Sequence, residues 1–192
     1  KPSLDPTLPE NYRPISLLPY YAKVLEKHVN LQLSSYLETN QLLHPSQAGF
    51  RPTHNTESAL LAVTDSLKLT LDSGSTAAVI LLDLSAAFDT VSHAILLECL
   101  KDLGVRGTAL GWLASFLAGR KFQVLDGPHF SSPRELKCGV PQGSSLSPTL
   151  FNLYVKPLAD LVHSHGITMV SYADDTQLVI SLANEKNNQA EQ

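Results

Sequence analysis

Two apolar segments rich in β-branched residues, Ile167-Thr168-Met169-Val170-Ser171-Tyr172 and Gln177-Leu178-Val179-Ile180-Ser181-Leu182, flank a short polar stretch and predict a β-hairpin with Tyr172-Ala173-Asp174-Asp175 at its tip. A third strand is predicted by the unbroken run Ala77 to Leu84, of the kind buried on both faces of a sheet, and Asp83 closes it. Elsewhere the period is helical. Leu25, Val29, Leu33 and Tyr36 share a face from about Ala22 to Leu37, and Asn40 and His44-Pro45 end that helix. Leu60, Val63, Leu67 and Leu71 form a stripe from Thr56, a candidate N-cap, to Leu71. Ser92 opens a helix carrying Leu96, Leu97, Leu100 and Leu103, which Gly104 stops, and Leu110, Leu113, Phe116 and Leu117 mark another. Phe122 to Leu125, the Asp126-Gly127 turn signal and Arg134 to Cys138 predict a second hairpin. After the loop Gly139 to Ser145, Ser147 as N-cap and Pro148 as first helical residue open a helix toward Gly166, kinked at Pro157. No internal repeat interrupts this alternation of strands and helices.

Composition narrows the class. At 192 residues, 43% hydrophobic and 17% charged, the chain has the size and balance of one globular domain or two interleaved subdomains. Asp83 breaks the most apolar run well short of the ~20 residues a membrane span needs, so no membrane partner is expected. Cys99 and Cys138 fit neither a disulfide scaffold nor a paired metal motif, and imply free thiols in a reducing, intracellular compartment. His163 and His165 lack further ligands at zinc spacing. The start at Lys1 among Pro2, Pro6 and Pro9, and the polar end from Asn184 to Gln189, read as a piece of a longer protein. A formal charge of −4 argues against strong nonspecific nucleic-acid binding, so any grip must be local. The basic border Arg120, Lys121, Arg134 and Lys137 is either a solvated face or such a contact.

Asp is a common turn residue, and two at a hairpin tip need no chemistry. Asp83 changes this, because an acid ending a buried strand needs a reason. If the strands share a sheet, three carboxylates can converge, and two bare charges about 4 Å apart repel by roughly 4 kcal/mol at an effective dielectric near 20. Divalent cations reverse the sign, and all-oxygen ligation suits Mg²⁺. Two such ions roughly 3.5 to 4 Å apart would clamp an in-line phosphoryl displacement. The acids alone leave a two-metal phosphatase or nuclease open.

Longer blocks surround the acids. Tyr172-Ala173-Asp174-Asp175, Asp83-Leu84-Ser85-Ala86-Ala87-Phe88-Asp89, Gly139-Val140-Pro141-Gln142-Gly143-Ser144, Asn11 to Leu18 and Gln47 to Arg51 occur in an order that resembles the reverse transcriptase domain of non-LTR (LINE-type) retrotransposons, over about residues 11 to 182. The resemblance implies an α+β fingers-palm fold with a ferredoxin-like antiparallel palm sheet backed by helices. Residues 1–76 would be the N-terminal part of the fingers, 77–182 the palm with a fingers-side hairpin inserted at about 120–138, and 183–192 a polar tail, with the family's thumb and upstream endonuclease domain lying outside the chain. It implies RNA-templated DNA synthesis with two Mg²⁺, for which Mn²⁺ can substitute, and as partners an RNA template, a DNA primer and dNTPs, at work in cytoplasm and nucleus.

By the same resemblance Asp83, Asp174, Asp175 and the Leu84 backbone would hold the metals, with Asp175 secondary. Phe88 would be a steric gate against a ribose 2′-hydroxyl, and Arg51 would meet the incoming triphosphate. Gln142 and Gly143 would lie near the nascent base pair, and Arg13, Tyr172 and Ala173 near template or primer. Asp89 would be structural, capping its turn. Two alternatives stand beside this: an inactive retroelement remnant that keeps the fold, and a noncatalytic RNA-binding module, which would carry stacking aromatics on its sheet where this chain has Val79, Leu81 and Asp83.

Overall fold

A computed structural model describes residues 5, 7, 8, 11, 12, 15–84 and 86–182. Its elements are α1 (Tyr20–Thr39), α2 (Thr56–Asp72), β1 (Thr76–Asp83), α3 (His93–Asp102), α4 (Gly107–Leu117), the two-residue strands β2 (Lys121–Phe122), β3 (Leu125–Asp126), β4 (His129–Phe130) and β5 (Arg134–Glu135), α5 (Ser147–Ser164), β6 (Thr168–Tyr172) and β7 (Asp175–Leu182). The expected tail at 183–192, and Arg13, Pro14 and Ser85 within the matched blocks, lie outside the described residues.

β1, β7 and β6 form one antiparallel sheet in that order. In β1 and β7, Thr76 pairs with Leu182 and Asp83 with Asp175 without interruption, and Tyr172 pairs with Asp175 across the hairpin. Cross-strand partners point to the same face, so Val79, Leu81 and Asp83 share a face with Val179, Gln177 and Asp175, and with Val170 and Tyr172. α2 covers part of that face through Val63, with Val170 and Val179 buried beneath it and Ala59 and Leu67 alongside. The larger core lies among the helices: Leu33 and Leu37 of α1, Leu96 and Leu100 of α3, Leu113 and Leu117 of α4, and Leu150, Phe151 and Leu153 of α5.

β1 corrects the expectation of a strand buried on both faces. Leu81 is 74% exposed, and Val79, Ile80 and Leu82 are exposed as well. The reason is what is stacked on the sheet: Val63 of α2 packs on Val170 and Val179 of β6 and β7 and leaves these side chains of β1, an edge strand, in the open, whereas the opposite edge, at β6, is closed by the chain at Ser46–Ala48, where Ser171 N donates to Ser46 O (2.8 Å) and Ala48 N to Ser171 O (2.8 Å). An unbroken apolar run reports what a strand could bury, not what is stacked on it.

The helix stripes shift too. In α1 the buried residues are Glu26, Leu33 and Leu37, while Leu25 faces solvent. In α2 only Val63 is buried, and Leu60 and Leu71 are exposed. Asn55, not Thr56, caps α2 in a reciprocal box with Ser58. Ser147 is the first residue of α5 rather than its cap: Ser144 Oγ instead accepts from the Leu146 and Ser147 amides, which frees the Ser147 hydroxyl from that task. α5 runs through Pro157 to Ser164. The second hairpin is two nested rungs, β2 with β5 and β3 with β4, and every residue from Lys121 to Glu135 is exposed.

Candidate active site

The hairpin turn is two residues, Ala173 and Asp174, closed by the Tyr172–Asp175 pair. Ala173 adopts φ +59°, a left-handed conformation at a turn position that favours glycine. The cost of that backbone is met by support from outside the hairpin. A Cβ on Gly49 would lie 2.2 Å from the Ala173 nitrogen and 3.0 Å from its Cα, so the 47–51 loop presses backbone to backbone against the turn, which only a residue without a side chain allows. The loop is itself fixed: Asn152 of α5 donates to Gly49 O (2.9 Å) and accepts from the Gln47 amide. Under the hairpin, Ser171 and Thr176 join through their hydroxyls at 3.1 Å.

The three acids stand at this end of the sheet. Asp83 and Asp175 are direct cross-strand partners on one face, both exposed, and Asp174 is half-buried in the adjoining turn. Opposed residues in such a ladder have Cα atoms about 4.5–5.5 Å apart. Among the described residues none donates a hydrogen bond or an ion pair to these carboxylates, so their charge is left for solvent or a ligand. The three are not gathered into one cluster: among the described residues no group of three or more His, Cys, Asp or Glu could hold a metal ion. By donor chemistry alone, carboxylate oxygens suit a hard cation, and Asp83 and Asp175 are the adjacent pair. A cleft of about 360 Å³ opens beside Asp83 and is lined by Leu84, Ala87, Thr90, Phe151, Tyr154 and Leu158.

Phe88 is held on two sides. Its ring stacks on Phe151 of α5 (centroids 5.0 Å, 17° between planes) and meets Phe50 edge-on (6.4 Å, 88°). The turn it sits on is joined to the Gly139–Gln142 loop by backbone bonds, Val140 N to Phe88 O at 2.7 Å and Gly139 N to Val91 O at 2.8 Å. Gly139 is left-handed (φ +89°), and a Cβ there would meet the Asp89 carbonyl at 2.8 Å. His93 Nε2 lies 2.7 Å from the Gly139 carbonyl. Ser16 N donates to Gln142 O (2.9 Å), which brings the chain before α1 to the same loop, and Gly143, at φ +97°, has the Ser16 carbonyl near it. Four of the matched blocks therefore meet here, and the expected site residues among those contacts are Phe88, Gln142 and Gly143. Arg13 lies outside the described residues.

Arg51 is engaged within the chain: Nε and Nη2 donate bidentately to Glu38 (3.0 and 2.9 Å), and Nη1 donates to the carbonyls of His44 (3.2 Å) and Gln47 (3.3 Å), with the Arg51 side chain 12% exposed. The physical reason is local: the end of α1 brings an acid within reach, and a planar fork with two carbonyls beyond it satisfies nearly all of the arginine's donors. Arg51 clamps the loop that carries Gly49. Arg51→Lys is expected to lower stability by roughly 1–2 kcal/mol, the loss of a buried pair discounted for a Glu38 that is about one-third exposed. A urea midpoint checks this; an unchanged midpoint with a raised dNTP KM would return Arg51 to the triphosphate.

Sequence reasoning missed Glu26. It is buried on the inner face of α1, where its Oε2 accepts from Ser144 Oγ (2.6 Å) and Ser145 N (3.2 Å) and so ties α1 to the loop that follows Gln142. The available signal was its spacing, since Glu26 falls seven residues before Leu33 and eleven before Leu37, an acid in a buried helical stripe. His44, whose carbonyl Arg51 uses, is held below the ordinary histidine range chiefly by burial, against the opposing pull of Asp160.

The mixed helix and sheet fold is shared with telomerase structures: telomerase from Candida tropicalis in complex with a telomeric RNA fragment superposes with a TM-score of 0.61 over 90% of this chain and 31% of that one, at 14% identity, and telomerase from Candida albicans with 0.60 over 89% and 32%, at 14% identity. The chain belongs to the reverse transcriptase (RNA-dependent DNA polymerase) family, whose model matches residues 1–191. Among curated relatives it is 35% identical, over 91% of its length, to a probable RNA-directed DNA polymerase from transposon X-element of Drosophila melanogaster, and 33% identical, again over 91%, to the RNA-directed DNA polymerase from mobile element jockey of Drosophila funebris. It spans about a fifth of those relatives' length, 19% and 20%.

Proposed function

We propose that this chain is the fingers and most of the palm of a non-LTR retrotransposon polymerase, and that its site adds dNMP to a DNA primer 3′-hydroxyl on an RNA template. The observation that carries this is the register of β1 against β7, which sets Asp83 opposite Asp175 beside the Asp174 turn, in a chain of this family. The three-stranded sheet with α2 and α5 on it is read as part of a ferredoxin-like palm, residues 1–76 as fingers, and the exposed 120–138 hairpin as a fingers-side insertion.

Asp83, Asp174 and the Leu84 carbonyl would hold two Mg²⁺, with Asp175 a secondary ligand. When bound, these ions supply the positive charge that favours loss of the primer hydroxyl proton and neutralises the leaving pyrophosphate. The chain's own residues bind and orient. The acids act as ligands, not nucleophiles. Phe88 would be the gate against a ribose 2′-hydroxyl, its ring supported by stacking on Phe151 and an edge contact with Phe50. Gln142 and Gly143 would face the nascent base pair, with Gly143 permitting close backbone approach, and Tyr172 and Ala173 would lie along the primer strand. Against a stacking RNA-binding module stands the sheet itself, whose strands carry one aromatic residue, Tyr172.

Primer extension on an RNA template with Mg²⁺ tests the reading, first with dNTPs and then with rNTPs. Slow, distributive addition of deoxynucleotides alone is expected. Equal use of ribonucleotides would overturn the gate. Absence of both extension and Mg²⁺-dependent thermal stabilisation would leave a polymerase fold kept by descent, as in an inactive remnant.

A further inference from the structure

We infer that Asp89 is a positioning residue for the nucleotide site, which fixes the direction in which Gln142 presents its side-chain amide. This rests on the polymerase reading above and extends it to a residue whose expected part was only to cap its own turn. Both Asp89 carboxylate oxygens accept from Gln142 Nε2, at 3.2 and 3.0 Å, across 53 residues of sequence.

The chemistry of the pair settles the polarity of the amide. A carboxylate only accepts, so the end of Gln142 that faces it must be the NH₂ and not the carbonyl. Oε1 is then the free end. An acceptor in that position cannot bond phosphate oxygens, which are acceptors themselves, and is suited to a hydroxyl or amine donor of the bound nucleotide. Without Asp89 the amide could present either end, and part of the binding energy would go into orienting it.

Both partners are anchored independently of the bond between them, which is why the bond can transmit a position. Asp89 follows the Phe88 gate directly, and its own amide donates to Ala86 O (2.9 Å). The Gln142 main chain is held by Ser16 N, and the segment before it is zipped to residues 88–91. Gly139 allows that contact because any Cβ would strike Asp89 backbone atoms at 2.8–3.0 Å. Asp89 and Gln142 therefore join the turn that carries Phe88 to the loop that carries Gly143.

The test is steady-state incorporation of dTTP on poly(rA) primed with oligo(dT), with equilibrium binding of Mg²⁺·dTTP measured alongside for the wild type, Asp89→Ala, Asp89→Asn, Gln142→Ala and the double variant. Asp89→Ala is expected to raise the dTTP KM and Kd about tenfold, the size of one lost hydrogen bond to a charged acceptor, with kcat within about twofold. Asp89→Asn, whose Oδ1 still accepts, restores both, and the double variant is no worse than Gln142→Ala. A KM unchanged in Asp89→Ala, effects of the two residues that add, or a failure of Asn to restore binding would overturn the inference while extension by the wild type keeps the polymerase reading. A wild type that neither binds nor incorporates dTTP overturns both.

Discussion

Asp174→Asn is expected to reduce single-nucleotide incorporation by about 10³-fold or more, equivalent to at least about 4 kcal/mol in the barrier, while leaving the thermal midpoint nearly unchanged. The two halves of that statement have separate causes. Asn is isosteric with Asp and tolerates turn geometry equally well, and among the described residues no donor bonds the Asp174 carboxylate, so removing its charge breaks none of their interactions. What it would remove, on the proposed two-metal reading, is a ligand charge, and the stabilisation of a developing phosphoryl transition state by bound cations is worth several kcal/mol. Asp83→Asn should behave alike. Asp175→Asn, in the secondary position, should lose less. Mg²⁺-dependent thermal stabilisation is expected of the wild type and should disappear with Asp174→Asn, which gives a readout that needs no primer. If Asp174→Asn keeps more than a tenth of wild-type incorporation, the assignment of the metal ligands is wrong.

How far the site was legible follows from where its interactions lie along the chain. The hairpin and the acid at the end of β1 were readable because strand period, turn residues and a charge closing an apolar run are local signals, and the register that joins them, Asp83 to Asp175, follows once the strands pair. The resemblance placed the blocks in one site but could not say what each side chain touches. Arg51 shows the difference: the matched block marks it as an arginine for phosphate, and only the fold shows that Glu38, thirteen residues away at the end of α1, takes both prongs of its fork. Asp89 and Gln142, 53 residues apart, and Glu26 and Ser144, 118 apart, meet only through tertiary packing, so no window of sequence could have shown either pair. The exposure of β1 was illegible for the same reason in reverse, since burial depends on which elements arrive at a face, and its outer edge receives no further strand among the described residues.

Gly49→Ala should damage activity more than stability, and the reason is where the added methyl must go. Its Cβ would lie 2.2 Å from Ala173 N, 3.0 Å from Ala173 Cα and 3.1 Å from Tyr172 C, all backbone atoms, so no side chain can rotate out of the way and one backbone must move. The loop is the better anchored of the two: Ser46 and Ala48 bond Ser171, Asn152 bonds Gly49 O, and Arg51 is clamped to Glu38. The turn, two residues long with Ala173 already left-handed, gives instead. Overpacking of this kind costs about 1–3 kcal/mol. The displaced turn carries Asp174, and a misplacement of about 1 Å at reacting groups is worth on the order of 10²-fold in rate. Gly49→Ala is therefore expected to lose about 10²-fold in incorporation with a moderate fall in the urea midpoint. Gly111→Ala on α4, where a Cβ meets nothing within 4 Å, is the control and should stabilise slightly, as alanine does in place of glycine within a helix. Were Gly49→Ala to incorporate dTTP at the wild-type rate, the loop would be a passive neighbour of the hairpin, and the support of the Asp174 turn would have to be sought elsewhere.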